Sequence, residues 1–165
     1  METFATARLR AAKLSLADRD DLVALHLDPE ASRYLGGVRS PEATNAYIDT
    51  GLRHWDDHGV GLWTLRTTDG AFIGRAALRY IELEGVREFE IAYALARDAW
   101  GQGLATEIAT TLVGIWRTRL DQPSLVGVVV KGNAGSENVL RKAGFLYERD
   151  ARFHDADCGV FRLRR

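Results

Sequence analysis

Two glycines one residue apart, Gly101 and Gly103, stand in the run AWGQGLATE at residues 99–107, directly before a stretch of helical periodicity. Successive backbone amides that point outward from such a turn, at the positive end of a helix, hold a phosphate or pyrophosphate without a lysine. Two other phosphate devices do not fit. No Gly-x-x-x-x-Gly-Lys-Ser/Thr run exists. A dinucleotide fingerprint needs a third small residue where Thr106 stands and an acidic residue at a strand tip about 20 residues on. Asp121 has roughly that spacing, but it falls between a helix and the next strand. A plain helix start is the alternative reading of the turn.

The neighbouring residues carry the rest of the chemistry. In EFEIAYAL, residues 88–95, strand alternation puts Glu90, Ala92 and Ala94 on one face and Ile91, Tyr93 and Leu95 on the other. A carboxylate among small residues beside a phosphate turn is unexpected in a simple buried strand; a salt bridge to Arg79 or Arg87 is the structural reading. The segment NAGSENVLRKAGF, residues 133–145, opens with Asn133 as a natural N-cap and sets Ser136 one turn on. Arg141 and Lys142 are either phosphate contacts or a solvated helix face. Cys158 is the single cysteine and is either a nucleophile or inert. His54 and His58 have metal-ligand spacing, but no third ligand stands at a recognisable distance, and HWDDH also reads as an exposed helix end.

These residues need elements to position them. TARLRAAKLSL alternates as a first strand anchored by Leu9 and Leu14, and LADRDDLVALHLD follows as a short helix. SPEATNAYIDTGLRHWDDHG has Ser40 as N-cap, Pro41 at the first helical position and Gly59 past the end. Three strand-like runs then alternate with Asp69-Gly70 and Glu84-Gly85, an antiparallel meander with two hairpins. Leu104, Ile108, Leu112 and Ile115 share one helical face, SLVGVVVKG is an apolar strand covered on both sides, and a helix and two strands close the chain. This order predicts an α+β domain with a mixed sheet and helices on its faces.

Composition narrows the partners. The 165 residues suit a single domain, 1–165, and 22 basic against 23 acidic side chains give no global field toward nucleic acid or an anionic membrane. The opening ETFATARLRAAKL lacks a signal peptide's apolar core, and no apolar run approaches the roughly 20 residues of a membrane span. The expectation is a cytoplasmic protein with neither nucleic acid nor membrane as partner.

Taken together, ARLRAAKLSLADRDDL, GLWTLRTTDGAFIGRAALR, EFEIAYALARDAWGQGLATE and NAGSENVLRKAGF resemble the GNAT N-acetyltransferase superfamily, and within it the RimJ/RimL-like ribosomal-protein N-terminal acetyltransferases, over nearly the whole chain. The resemblance implies about seven strands, mostly antiparallel, with four helices. It implies acetyl-CoA as cosubstrate and no metal. The pyrophosphate would lie on Gly101, Gln102, Gly103, Leu104, Ala105 and Thr106, the pantetheine along the main chain of Tyr93, Ala94 and Leu95, and the thiol near Asn133 and Ser136. Direct transfer to an amine would use Glu90 as base through water, a main-chain amide of the Tyr93–Leu95 stretch to polarise the thioester carbonyl, and Ser136 as acid. Two departures stand out. Trp100 replaces the Gln or Arg that opens the usual glycine motif, and the usual acid tyrosine falls on Leu140.

The implied acceptor is a protein N-terminal amine or a small-molecule amine. Its walls would be the segment from Arg33 to Ala43, the second helix with Trp55, and the loop before the last strand. A homodimer is compatible with this reading, and the competing function is a non-catalytic acyl-CoA-binding or regulatory domain of the same fold.

Overall fold

The computed structural model describes residues 1–165. It contains eight strands in one sheet and five α-helices, one more of each than the seven strands and four helices expected. The additions are β1 (Thr3–Ala5) and α2 (Pro29–Ser32). Three residues show no alternation and four show no helical period, so neither segment leaves a pattern in the sequence.

β2 (Leu9–Lys13) leads through a 3-10 turn into α1 (Arg19–Leu27), and α2 follows, capped by Asp28, whose side chain accepts from the Glu30 and Ala31 amides. α3 (Pro41–His58) has the predicted ends: the Ser40 side chain accepts from the Ala43 amide, and Gly59 closes the helix in the left-handed conformation. β3 (Leu62–Thr67), β4 (Phe72–Leu83) and β5 (Val86–Leu95) form the expected meander. Then come α4 (Leu104–Arg119), β6 (Ser124–Val130), α5 (Ala134–Lys142), β7 (Leu146–Phe153) and β8 (Ala156–Arg164).

The sheet order is β1-β2-β3-β4-β5-β6-β8-β7. All neighbours are antiparallel except β5 and β6, which α4 connects as a crossover, and these two meet only at Glu90 and Val126. Beyond that pair the strands part, and the gap between them organises the site.

The alternation predicted for β5 is the one observed. Ile91 and Leu95 pack with Leu104, Ile108 and Leu112 under α4, while Ala94 packs with Leu22, Leu25 and Ile48 under α1 and α3. No helix is long and apolar enough to cross a membrane.

Candidate active site

The gap exposes a strand edge. The Ala96 amide donates to the Ile73 carbonyl at 2.9 Å, and the β4–β5 register is unbroken from Leu95 to Val86. In an antiparallel ladder the bonded residues alternate, so Ala94, Ala92 and Glu90 bond to β4, while Ile91, Tyr93 and Leu95 turn their amides and carbonyls toward β6. Where β6 has moved away, the main chain of Tyr93 and Leu95 is left as an edge that an extended amide-bearing ligand can join. The Leu95 carbonyl is already taken: the Trp100 Nε1–H donates to it at 2.9 Å.

This indole contact explains the tryptophan ahead of the glycines. It ties the turn to the end of β5, so Trp100 acts as a brace. Gly101 and Gly103 both have left-handed backbone, at φ 72° and 75°, which L-residues with a Cβ rarely adopt. No amide from Gly101 through Thr106 donates to a protein acceptor. These donors open α4, whose dipole adds to their attraction for an anion. Arg8, which no motif or spacing marks, clamps the turn from the opposite side: Nη1 donates to the Gln102 carbonyl at 2.8 Å and Nε to Glu107 at 2.7 Å.

Across the gap, the Asn133 Oδ1 accepts from the Ser136 amide at 3.2 Å. Asn133 is therefore the cap of α5, and its side-chain NH2 is the part left for a ligand. The Ser136 hydroxyl does no capping. It lies 3.0 Å from the Tyr93 hydroxyl, which reaches over from β5. Burial pushes the Tyr93 phenol up to about 12, so it stays a proton donor at neutral pH. Leu140 is fully buried against Gly127 of β6, where an added Cβ would sit 2.5 Å from Leu140 Cδ1. Leu140 brings no hydroxyl to the cavity it lines, and the hydroxyls of Tyr93 and Ser136 are what this gap offers instead.

Glu90 lies at the foot of the gap and is 3% exposed. Arg79 Nε donates to its Oε2 at 2.8 Å, while Oε1 receives no protein donor. Of the two arginines named from sequence, Arg79 is thus the partner. Arg87 stacks on Tyr80, with its guanidinium carbon 3.9 Å from the ring centre. The carboxylate raises the Arg79 pKa, against the opposing effect of burial, which is the larger single influence on that group.

Glu90, Tyr93, Asn133 and Ser136 all line one cavity of about 600 Å³ that runs from the gap to α3. Tyr34, Leu35, Gly36 and Arg39 close it from the expected segment, and Phe153, His154 and Ala156 from the last hairpin. The helix contributes Ala46, Tyr47 and Thr50. Trp55 is a correction: it is core, edge-on to Trp63 at 5.2 Å, with its indole N–H on the Leu62 carbonyl at 2.8 Å.

The other candidates have structural employment. His54 accepts from the Tyr80 amide at Nε2, 3.0 Å, and donates from Nδ1 to the Val60 carbonyl, 2.7 Å, so neither nitrogen is left for a metal. No group of three or more His, Cys, Asp or Glu is placed to hold one. Cys158 is buried on the cavity wall, and that burial raises its thiol pKa, which keeps it protonated. Arg141 pairs with Glu137 one turn away at 3.1 Å.

The sequence pattern of the acetyltransferase (GNAT) domain family matches residues 8–146. Two curated relatives are similar over most of their length. The uncharacterized protein YkkB of Bacillus subtilis (strain 168) is 26% identical over 150 residues, 88% of this chain and 87% of that protein. The uncharacterized N-acetyltransferase p20 of Bacillus licheniformis is 29% identical over 154 residues, 90% and 84%. Among solved structures, the acetyltransferase from Agrobacterium tumefaciens str. C58 superposes with a TM-score of 0.88 at 24% identity, over 100% of this chain and 95% of that one. The RimL ribosomal L7/L12 alpha-N-protein acetyltransferase in complex with coenzyme A superposes at 0.81 with 19% identity, over 99% and 98%. The spermidine N-acetyltransferase from Vibrio cholerae, in complex with CoA and spermine, superposes at 0.75 with 16% identity, over 94% and 95%. At these identities the structures speak to the fold, a mixed α+β sheet open at one strand junction.

Proposed function

Because the chain belongs to the acetyltransferase (GNAT) domain family, we propose that it moves the acetyl group of acetyl-CoA directly to the nitrogen of a primary amine. The observation that carries this reading is the conjunction of the unpartnered amides from Gly101 through Thr106 with a free strand edge formed by the Tyr93 main chain and the Leu95 amide. A pyrophosphate joined to an extended, amide-bearing arm fits both at once.

The geometry supports the following roles. The turn Gly101, Gln102, Gly103, Leu104, Ala105 and Thr106 takes the pyrophosphate. Pantetheine amides pair with the main chain of Tyr93 and Leu95 beside Ala94, and the Asn133 NH2 meets the thiol end. The acceptor amine enters from the α3 side, toward Glu90.

Transfer forms an N–C bond and breaks the S–C bond. The nitrogen attacks the thioester carbonyl, and a main-chain amide of the Tyr93–Leu95 edge receives the developing oxyanion. Glu90 Oε1 takes the amine's proton through water, with Arg79 fixing the carboxylate from the other oxygen. The leaving thiolate is protonated by Ser136, which regains its proton from the Tyr93 hydroxyl 3.0 Å away and, through it, from solvent, while Glu90 returns the amine's proton to water. The RimL likeness favours the RimJ/RimL-like branch, in which the acceptor is either a protein N-terminal amine or a small amine.

The alternative, a non-catalytic acyl-CoA-binding domain, draws on the absence of a tyrosine at Leu140. The test is thiol release from acetyl-CoA in the presence of amines and short peptides. Release coupled to acceptor acetylation supports the enzyme, and coenzyme binding without release on any acceptor supports the alternative.

A further inference from the structure

The acceptor half of the cavity has an uncompensated positive charge. Three guanidiniums, from Arg39, Arg75 and Arg79, line it against a single carboxylate, Glu90. Glu90 is committed to Arg79, and no carboxylate lies within ion-pair distance of Arg75 or Arg39. Arg75 is only 3% exposed, and buried arginines are rare unless paired.

Its neighbours orient this side chain without neutralising it. Arg75 Nε donates to His26 Nε2 at 3.2 Å, which places the imidazole proton on Nδ1, toward Thr44 Oγ1 at 2.9 Å. Burial holds His26 neutral, down at about 3, so it supplies no charge of either sign. Arg39 donates from Nη2 to the Leu35 carbonyl at 3.2 Å, and its buried Nη1 has no partner. Tyr47 spans the two, with its ring centre 4.7 Å from the Arg75 guanidinium and 4.9 Å from that of Arg39. Desolvation lowers the pKa of both arginines, as expected of cations held without a counter-ion.

We infer that Arg75 and Arg39 form an oxyanion subsite and that the acceptor is a small amine-bearing acid, with its carboxylate in that subsite and its amine directed at Glu90. This deepens the acetyl-transfer reading above and rests on it. Guanidinium forks bind carboxylates with charge-assisted hydrogen bonds. The surplus positive charge also disfavours an ammonium, which keeps the acceptor nitrogen in its nucleophilic form and repels a polyamine.

The test uses matched acceptors with the purified protein and acetyl-CoA: an α-amino acid, its carboxamide, the corresponding decarboxylated amine, spermidine, and peptides with acidic or neutral second residues. The acid is expected to exceed its carboxamide and decarboxylated partner in kcat/KM by about ten- to a hundredfold, the equivalent of a charge-assisted hydrogen-bonding pair. Arg39→Gln, at a partly buried position, and Arg75→Lys should each bring that ratio toward one. Equal use of the decarboxylated amine or of spermidine would overturn the subsite while leaving acetyl transfer intact. A peptide with an acidic second residue preferred over every free acid would overturn the assignment to a small acid. Calorimetric titration of the acids into the coenzyme-loaded protein separates the two claims. Binding that is lost in Arg39→Gln, with no acceptor acetylated, upholds the subsite and rejects the transfer reading; no binding and no preference reject the subsite.

Discussion

The hydroxyls of Tyr93 and Ser136 lie 3.0 Å apart across the β5–β6 gap, one from the strand and one from the first turn of α5. They occupy the region left without a hydroxyl by Leu140. If Ser136 protonates the thiolate with Tyr93 behind it, Ser136→Ala should lower kcat by about a hundredfold, in the range of general acid catalysis, and Tyr93→Phe by about tenfold, the size of one neutral hydrogen bond. The two effects should be non-additive, because they act as one unit. Steady-state kinetics of both single variants and the double variant check this, and full additivity would separate the two roles.

The glycine turn makes a cleaner prediction, since an added Cβ at Gly101 meets nothing within 4 Å. The effect of Gly101→Ala is then conformational, on a backbone held at φ 72°. Strain of about 1–2 kcal/mol per such residue should weaken coenzyme binding about tenfold and lower thermal stability in parallel. Arg8→Ala removes an exposed ion pair of small intrinsic worth, so its effect should fall on coenzyme affinity, through the Gln102 carbonyl, more than on stability. Calorimetry on the two variants distinguishes strain from lost positioning.

Acid sensitivity should trace to His26. Its folded pKa, about 3 against an ordinary 6.5, is depressed by burial first and by Arg75 and Arg39 after it. The unfolded chain therefore binds the extra proton, and stability rises with pH. The contribution is complete above about pH 6.5 and is lost as pH falls toward 3, reaching about 2 kcal/mol of loss by pH 5. Denaturant midpoints between pH 7 and pH 5 should slope less steeply in His26→Gln than in the parent. His54, whose pKa is also lowered by burial, leaves a residual slope in both.

Gly127 and Leu140 should be coupled. Gly127→Ala drives a Cβ to 2.5 Å from a fully buried leucine methyl, and overpacking of this kind costs about 1–3 kcal/mol. Shortening the neighbour as well, in Gly127→Ala with Leu140→Val, should return part of that loss. Urea denaturation of the three variants tests the coupling, and simple additivity would contradict the contact.

What the sequence made legible was local. The caps Ser40 and Gly59, the hairpin turns at Asp69-Gly70 and Glu84-Gly85, and the glycine pair before α4 are recognised because the residue that shapes the backbone sits where the backbone turns. The face assignment of Glu90 followed from strand alternation alone. What stayed hidden depends on distant partners. Tyr93 meets Ser136 across 43 positions, and its side chain lies on the face that alternation marks as core. The charge surplus at Arg39 and Arg75 consists of missing partners, which no spacing reveals. Trp55 shares a helix with cavity-lining Tyr47 but is turned into the core, and a helical period with several apolar faces does not say which one meets the cleft.

Acetyl transfer in this cavity turns on Glu90. The measurement is acetyl transfer from acetyl-CoA to an amine nitrogen, followed by mass spectrometry of the acceptor and by thiol release, in the parent and in Glu90→Gln at saturating coenzyme and well below the variant's Tm. One thiol released per N-acetyl product is expected in the parent, and transfer slower by about a hundredfold or more in the variant, with coenzyme affinity unchanged. Tight coenzyme binding with no acetylated acceptor, or a Glu90→Gln variant that turns over at the parent rate, would contradict it.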